Sequence, residues 1–550
     1  MKNNRFEGFF FTFVTRYQIP GMKKLFSVSL CLAFVATAFA ETPSNTDCLH
    51  KLNYAFTVVN SYYVDSVDRA RVTDEAIQGM LSSLDPHSSY MNKEKAAEAR
   101  EPLQGSFEGI GVSFNMVEDT LLVVQAIVNG PSEKVGIIAG DKIIAVNDTA
   151  IAGVKMSQND IMKRLRGKKG TTVQVTVLRG GQRIPFTIVR DKIPISSVDT
   201  YYMVTSNIGY IKISRFASTT YQEMTDAIKI LKRKGMNRLI VDLQGNGGGY
   251  MQSAVDMADE FLNADNIIVY TKGDKQRTQV FAAKSHSKLF SREKLVVLVD
   301  EYSASASEIF SGAIQDWDRG AIVGRRTFGK GLVQRPFTLP DGSEIRLTIA
   351  RYYTPAGRCI QRPYESGKED YEREFAKRYE HGEMVSADSI SFPDSLRYTT
   401  RIAKRTVFGG GGIMPDVFVP ADTTRLDSLS RVIFHGNYHN KTVVAYLEKH
   451  RDALRRTFRT IDDFESSFLV DEEMYAILQT KLEADSVRFT PEQLAAANEY
   501  ATPFLKAFLA RYLWGLEGYF RIYNKTNPIF LKGVELLTDD KQYYSIFKVK

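Results

Sequence analysis

Cysteine is nearly missing: Cys31, Cys48 and Cys359 are the only three in 550 residues. A disulfide-stapled scaffold is excluded, and a chain of this length needs none. Histidine is sparse as well, seven in all. His435 and His439 stand four apart, but Gly436 and Asn437 separate them and no carboxylate adjoins, so they are read as a surface loop and not a metal site. There is no basic run interleaved with aromatics, so no nucleic-acid partner is expected. The formal charge of +8 falls to +4 once the five basic residues and one acidic residue of 1–40 are set aside, too little to imply a polyanion partner. No internal repeat is found.

Long apolar runs are also missing, with one exception near the N-terminus. Met22-Lys23-Lys24 precedes an apolar stretch over 25–38, which closes on Ala38-Phe39-Ala40. A positive start, a short apolar centre and small residues at −3 and −1 read as a secretory signal peptide cut after Ala40, with 1–21 an upstream extension. The stretch falls short of the roughly 18 apolar residues that a membrane span needs. The mature chain is therefore expected to be exported, periplasmic or envelope-associated, without a stable span. Cys31 follows Leu30, which argues against a lipid attachment site, and Cys48 and Cys359 are expected as unpaired thiols.

What is present reads as several domains. Residues 45–104 carry apolar positions at helical spacing, interrupted by the turn Asp85-Pro86-His87-Ser88-Ser89-Tyr90. Over 105–193 five short β-branched runs surround one helical stretch at 157–166, as in a small β-barrel module. Over 195–360 strands and helices alternate, which argues for an α/β core with a layered sheet. Residues 361–408, charged and aperiodic at first over 367–374, are read as a solvated excursion, and 421–550 as helices.

Chemistry concentrates where apolar strands end. Leu295-Val296-Val297-Leu298-Val299-Asp300 empties into Tyr302-Ser303-Ala304-Ser305-Ala306-Ser307-Glu308 and a helix start, where a serine hydroxyl would stand beside free amides. Lys330 follows between Gly329 and Gly331, and no histidine is near in sequence. Lysine can take a serine proton only if burial destabilises its ammonium. The bland reading of Ser303, Ser305 and Ser307 is a helix N-cap. Against it stands Asp242-Leu243-Gln244-Gly245-Asn246-Gly247-Gly248-Gly249, a strand end running into bare amides that suit an oxyanion. Phosphate binding is the rival use of such a nest, but the lysine and hydroxyl of a Walker loop are absent. Gly109-Ile110-Gly111-Val112, at a glycine-punctuated strand start, suits capture of a terminal carboxylate or is a plain turn into a barrel.

These stretches, in this order and spacing, resemble the C-terminal processing (tail-specific) proteases of peptidase family S41, exported serine proteases that carry a PDZ domain. Further matching runs are Ser82-Ser83-Leu84-Asp85-Pro86-His87-Ser88, Gly140-Asp141-Lys142-Ile143, Ala350-Arg351-Tyr352-Tyr353-Thr354-Pro355 and Gly412-Ile413-Met414-Pro415-Asp416. The resemblance implies a multidomain α+β fold: an α/β crotonase-like (ClpP-like) layered protease core, an inserted β-rich PDZ domain, and helical N- and C-terminal regions. Boundaries are expected at 1–40 for the leader with its extension, 41–104 for the N-terminal helices, 105–193 for the PDZ domain, 194–420 for the core and 421–550 for the C-terminal helices. It makes Ser305 the nucleophile, Lys330 the general base and Gln334 its support. The oxyanion donors would be Ala306 with Gly248 or Gly249. Gly109, Ile110, Gly111 and Val112 would bind unstructured, apolar C-terminal tails, with no cofactor and no metal. The nest departs from the commoner arginine, asparagine and proline form, having Gln244, Gly245 and Gly247, so the donor glycine stays open. Also open are a homodimer, a lid or packing role for 421–550, a dormant tail-binding scaffold, and transacylation by the same pair.

Overall fold

The computed structural model describes residues 44–117, 119–284, 288–422 and 427–548; the expected leader and Cys31 lie outside them. The chain divides into two compact units, 1–77 and 78–550. In the first, Ser44 caps the helix Asn45–Tyr62 in a reciprocal box with Asp47, and no residue of that helix is buried. A second helix, Arg69–Ser82, runs across the division.

The centre of the second unit is a six-stranded sheet in the order Val198–Met203, Ile208–Ile213, Arg238–Asp242, Lys294–Val299, Ala321–Gly324 and Val417–Phe418. The first pair is antiparallel and the other four pairings are parallel. These strands read as unbroken apolar runs because both faces are covered. Ile211, Leu239, Val241, Val297 and Val299 pack on the helices Thr220–Arg233, Met251–Asp259 and Ala306–Asp316 through Ile228, Leu231, Ala258 and Phe310. Alternate residues Tyr210, Ile240, Val296 and Leu298 meet Ile529, Phe530, Leu537 and Tyr543 of the helices Pro528–Thr538 and Asp540–Ser545. An antiparallel sheet lies beside this core, built on the long strand Glu344–Tyr353, which pairs with Ser89–Met91, Ile267–Gly273 and Leu332–Thr338.

A β module is inserted before the core. Its strands run in the order Val112–Val117, Thr120–Ala126, Lys142–Val146, Thr172–Arg179 and Gln182–Val189, with Ile161 and Leu165 of the helix Gln158–Leu165 closing the barrel. Ser106–Gly109 pairs antiparallel with Asp191–Pro194 and cinches the neck of the insertion. The run Leu121-Leu122-Val123-Val124 is buried throughout: Leu121 and Val123 face the barrel, Leu122 and Val124 face the C-terminal helices. Those helices, from Ser428–His435 to Pro491–Tyr523, share a core that includes Leu447, Leu478, Leu482 and Leu505. Among the described residues no helix is long and apolar enough to cross a membrane.

Two local readings need correction. Residues 368–380 form the helix Lys368–Glu380, not a solvated excursion. Its Tyr371 and Arg378 are buried because Glu374 is partnered by Arg326, Arg362 and Arg378. His439 is not on a surface loop: it is buried in the helix Tyr438–Thr457, its ring 4.4 Å from that of Phe508. Cys48 and Cys359 are free thiols.

Candidate active site

Three neighbouring parallel strands deliver three chemical groups to one edge. Arg238–Asp242 runs out into the glycine nest, Lys294–Val299 into the Ser305 turn, and Ala321–Gly324 into the Lys330 loop. The carboxyl ends of parallel strands open a crevice there, the usual place for a site in such a sheet.

Asp300 shapes the serine turn. Its Oδ1 accepts the Tyr302 and Ser303 amides, and Ser303 Oγ bonds the Leu243 carbonyl at 2.8 Å, tying this turn to the neighbouring strand. Asp300 also takes the Gly245 amide at 2.9 Å on both oxygens, so one carboxylate anchors serine turn and nest together. Ser305 then sits at the N-terminus of Ala306–Asp316 with φ 56° and ψ −111°. That conformation is strained for a residue with a Cβ, and such strain persists only where the surroundings enforce it. The enforcing group is Glu308, fully buried, whose Oε2 accepts the Ser305 amide at 2.8 Å.

Glu308 does more than cap. The same Oε2 accepts the Lys330 amide at 2.9 Å, while Oε1 takes the Gly329 amide at 2.7 Å and the Thr327 hydroxyl at 2.6 Å. One carboxylate thus holds the backbones of Ser305 and Lys330 to each other. Burial pushes its pKa up, and the four donors oppose that rise. Tyr352 spans the same gap, its hydroxyl 3.1 Å from the Ser305 carbonyl and 2.5 Å from that of Lys330. Sequence reasoning passed over Glu308, although serine followed three places later by glutamate is a capping-box signature.

Lys330 is oriented by a relay. Its Nζ donates to Gln334 Oε1 at 2.9 Å, and Gln334 Nε2 donates to the His87 carbonyl at 2.5 Å. His87 is fixed in turn by Asp85, whose Oδ1 accepts the His87 and Ser88 amides, and by Tyr371, 2.8 Å from His87 Nε2. Burial pushes the Lys330 ammonium below the ordinary lysine range, and Arg346 pushes the same way; Glu308 and Asp85 oppose. Gly329 has φ +88°, and a Cβ on Gly331 would stand 2.7 Å from the Gln361 amide nitrogen, so neither tolerates a side chain.

In the nest, Gly248 and Gly249 have φ +103° and +147°. A Cβ on Gly248 would lie 2.9 Å from that of Ser305, and one on Gly249 would strike the Phe216 carbonyl at 2.2 Å. The Gly248 amide is already given to Asn246 Oδ1 at 2.9 Å. The amides of Ala306 and Gly249 have no acceptor among the described residues. Asn246 knits this nest to the serine turn, its carbonyl accepting the Ala304 amide and the Ser307 hydroxyl.

In the β module, Gly111 takes φ +76°, and the amides of Ile110 and Gly111 lack acceptors among the described residues. Gly109 lies just before them at the end of Ser106–Gly109, and Val112 just after them opens Val112–Val117. A cleft beside these four positions is lined by Phe107, Ile110, Phe114, Met162 and Leu165, with Arg166 at its side. It has amides for a carboxylate at one end and apolar walls beyond.

A sequence model of peptidase family S41 matches 207–369, and one of the PDZ domain matches 109–189. The carboxy-terminal processing protease CtpA of Bacillus subtilis is 36% identical over 354 residues, covering 62% of this chain and 75% of that protein. The chain belongs to the carboxy-terminal processing proteases of family S41. It is a serine-type peptidase with a PDZ domain. The carboxy-terminal-processing protease of Bartonella bacilliformis is 38% identical over 344 residues, 61% of this protease and 78% of its relative. Among solved structures, the photosystem II D1 C-terminal processing protease aligns at 29% identity and a TM-score of 0.34, over 62% of this protease and 90% of that chain. Residues 31–95 match the N-terminal domain of the activating protease CtpB, and 431–515 match a family of unknown function.

The protease should lose stability in mild acid. Burial, with Lys330 adding to it, holds the His87 pKa at about 4, and burial does the same for His439. Both rings stay neutral in the folded state while unfolded histidines charge near 6.5, so their contribution is complete above 6.5 and is lost as pH falls to about 4. The His87→Gln variant keeps the carbonyl that holds Gln334 and removes one titrating ring. Its melting temperature is expected to drop less than wild type between pH 7 and 4.5; equal drops would refute the assignment.

Proposed function

We propose that the protease is an exported endopeptidase that binds the unstructured, apolar C-terminal tails of proteins or peptides in its PDZ cleft and cuts these substrates through a Ser305–Lys330 dyad. The observation that carries this reading is the shared clamp: a strained Ser305 and a buried Lys330 fastened to one Glu308 carboxylate. Neutral Lys330 takes the Ser305 proton as the hydroxyl oxygen attacks the scissile carbonyl. The tetrahedral oxyanion is received by the Ala306 amide, at the positive end of its helix, and by a nest amide. Gly249 is the better nest donor, since the Gly248 amide is engaged by Asn246. Lys330 then protonates the leaving amine, and water, deprotonated by the same lysine, hydrolyses the acyl-Ser305 ester. Gln334 aims the lysine throughout.

The tail's carboxylate would meet the free amides of Ile110 and Gly111, with Gly109 and Val112 flanking them and the apolar cleft taking the last side chains. The apolar leader ending at Ala40 supports export. The two facing sheets with helices between support a crotonase-like layering of the core, and the insertion neck at 106–109 and 191–194 supports domain boundaries near 105 and 193. Ser305→Ala is expected to lose at least about 1,000-fold in cleavage of an apolar-tailed peptide and to bind that peptide as tightly as wild type. Cleavage at the wild-type rate by this variant would end the proposal.

A further inference from the structure

Lys212 is a charged side chain that the mechanism above does not use, and it is buried behind the nest. It sits on the strand Ile208–Ile213 directly opposite Asp242, so the two side chains share a face of the sheet. Its Nζ lies 3.1 Å from Asp242 Oδ1 and 2.5 Å from the Gln244 carbonyl. Asp242 takes three more donors: the Gln244 amide at 2.8 Å, the Tyr210 hydroxyl at 2.6 Å and Gln244 Nε2 at 3.2 Å. Gln244 is the second residue beyond the strand, and its path sets the direction in which the following glycines leave. A buried cation is costly unless its partners are complete, and here it closes the first link of the nest.

The face that carries Lys212 is the one covered by the last helices. Asn527, whose Oδ1 caps Pro528–Thr538, turns its Nδ2 onto Gln244 Oε1 at 3.3 Å. The Phe520 ring lies 5.9 Å from Lys212 Nζ, and Asn524 Nδ2 bonds the Tyr202 hydroxyl at 2.9 Å beside Tyr210. The C-terminal helices therefore reach the residue from which the nest departs.

We infer that Lys212 is a positioning residue for the oxyanion nest, and that the C-terminal helical region braces the same link through Asn527. On this view the helices past 520 belong to the catalytic support and are no separate appendage. The inference rests on the oxyanion role given to the nest above. A nest that loses its brace still binds tails but aligns its amides poorly to the charge that develops in the transition state, so kcat falls and KM does not.

The test compares full-length wild type with Ser305→Ala, Lys212→Met, Lys212→Arg and Asn527→Ala on a fluorogenic peptide with a free apolar tail. Inhibition by a peptide aldehyde, whose serine adduct places an oxyanion in the nest, is measured in parallel. Lys212→Met is expected to lower kcat about 100-fold and weaken the aldehyde by a similar factor, with KM within about threefold. Lys212→Arg should recover most of that loss, and Asn527→Ala should lower kcat about three- to tenfold at unchanged KM. Wild-type kcat in Lys212→Met, or a loss carried entirely by KM, overturns the role of Lys212; wild-type kcat in Asn527→Ala overturns that of the C-terminal helices. If Lys212→Met does not fold, Lys212→Arg decides: a kcat loss beyond about tenfold, without the aldehyde weakening in step, overturns the role. A cleaving Ser305→Ala would instead sink the reading of the site itself.

Discussion

Lys330→Met should leave a folded protease that binds tails and cleaves them at least about 1,000-fold more slowly than wild type, since it removes the base proposed for Ser305. Lys330→Arg should be as inactive, because a guanidinium keeps its proton at any pH the fold survives. The pH profile is the sharper measurement. Burial holds the Lys330 pKa below the ordinary lysine value, and the neutral amine is the form the proposed mechanism uses. Wild-type kcat/KM should therefore rise with pH through a single ionisation below about 10.5, the usual lysine value. Gln334→Ala removes the aim but not the burial: kcat should fall while the ionisation stays below the solvated-lysine range. A kcat/KM that rises as pH falls, or Lys330→Arg with wild-type kcat, would remove lysine from the mechanism.

Much of this was legible because buried parallel strands announce themselves. Leu239-Ile240-Val241 and Leu295-Val296-Val297-Leu298-Val299 are too short for helices and too apolar for an exposed sheet, and each ends in the small residues of a turn. The nest, the serine and the lysine could each be found at such an exit. That they lie on adjacent strands could not, because sheet order is a long-range property that no local pattern encodes. The run 367–374 misled for a related reason. Its charges look solvated one at a time, and only the fold brings Arg326 and Arg362 to Glu374 and buries Tyr371 against Arg362, 3.8 Å from its ring. His439 misled because glycine and asparagine before it mark a tight helix–helix turn, not a loop, and the next helix starts at Tyr438. In 421–550 the helices were visible from their spacing, but not that they cover Leu122 and Val124 on one side and the core sheet on the other.

Glu308 carries the second large effect, and its chemistry is of a different kind. Its oxygens are taken up by the amides of Ser305, Lys330 and Gly329 and the Thr327 hydroxyl, so it sets where Ser305 and Lys330 stand. In the Glu308→Gln variant one carboxylate oxygen becomes an amide nitrogen. The amide turns its NH₂ either to the Ser305 and Lys330 amides or to the Gly329 amide and the Thr327 hydroxyl, which can rotate to accept from it. One or two buried amides are then left without an acceptor, at about 1–3 kcal/mol each. Where the NH₂ faces Ser305, part of that cost relaxes by letting Ser305 leave its φ of 56°, since nothing else among the described residues takes its amide. The serine should settle into an ordinary helix cap, and displacement by an ångström is enough to slow the reaction about 100-fold. The expected result is a kcat down by up to about two orders of magnitude with KM and tail affinity near wild type, together with a lower melting temperature. Glu308→Asp should do no better, because the shorter side chain cannot reach both loops at once. Full kcat in Glu308→Gln would mean that Ser305 and Lys330 are aligned by Tyr352 and the Asn246 links alone, and that the buried carboxylate serves the fold but not the reaction.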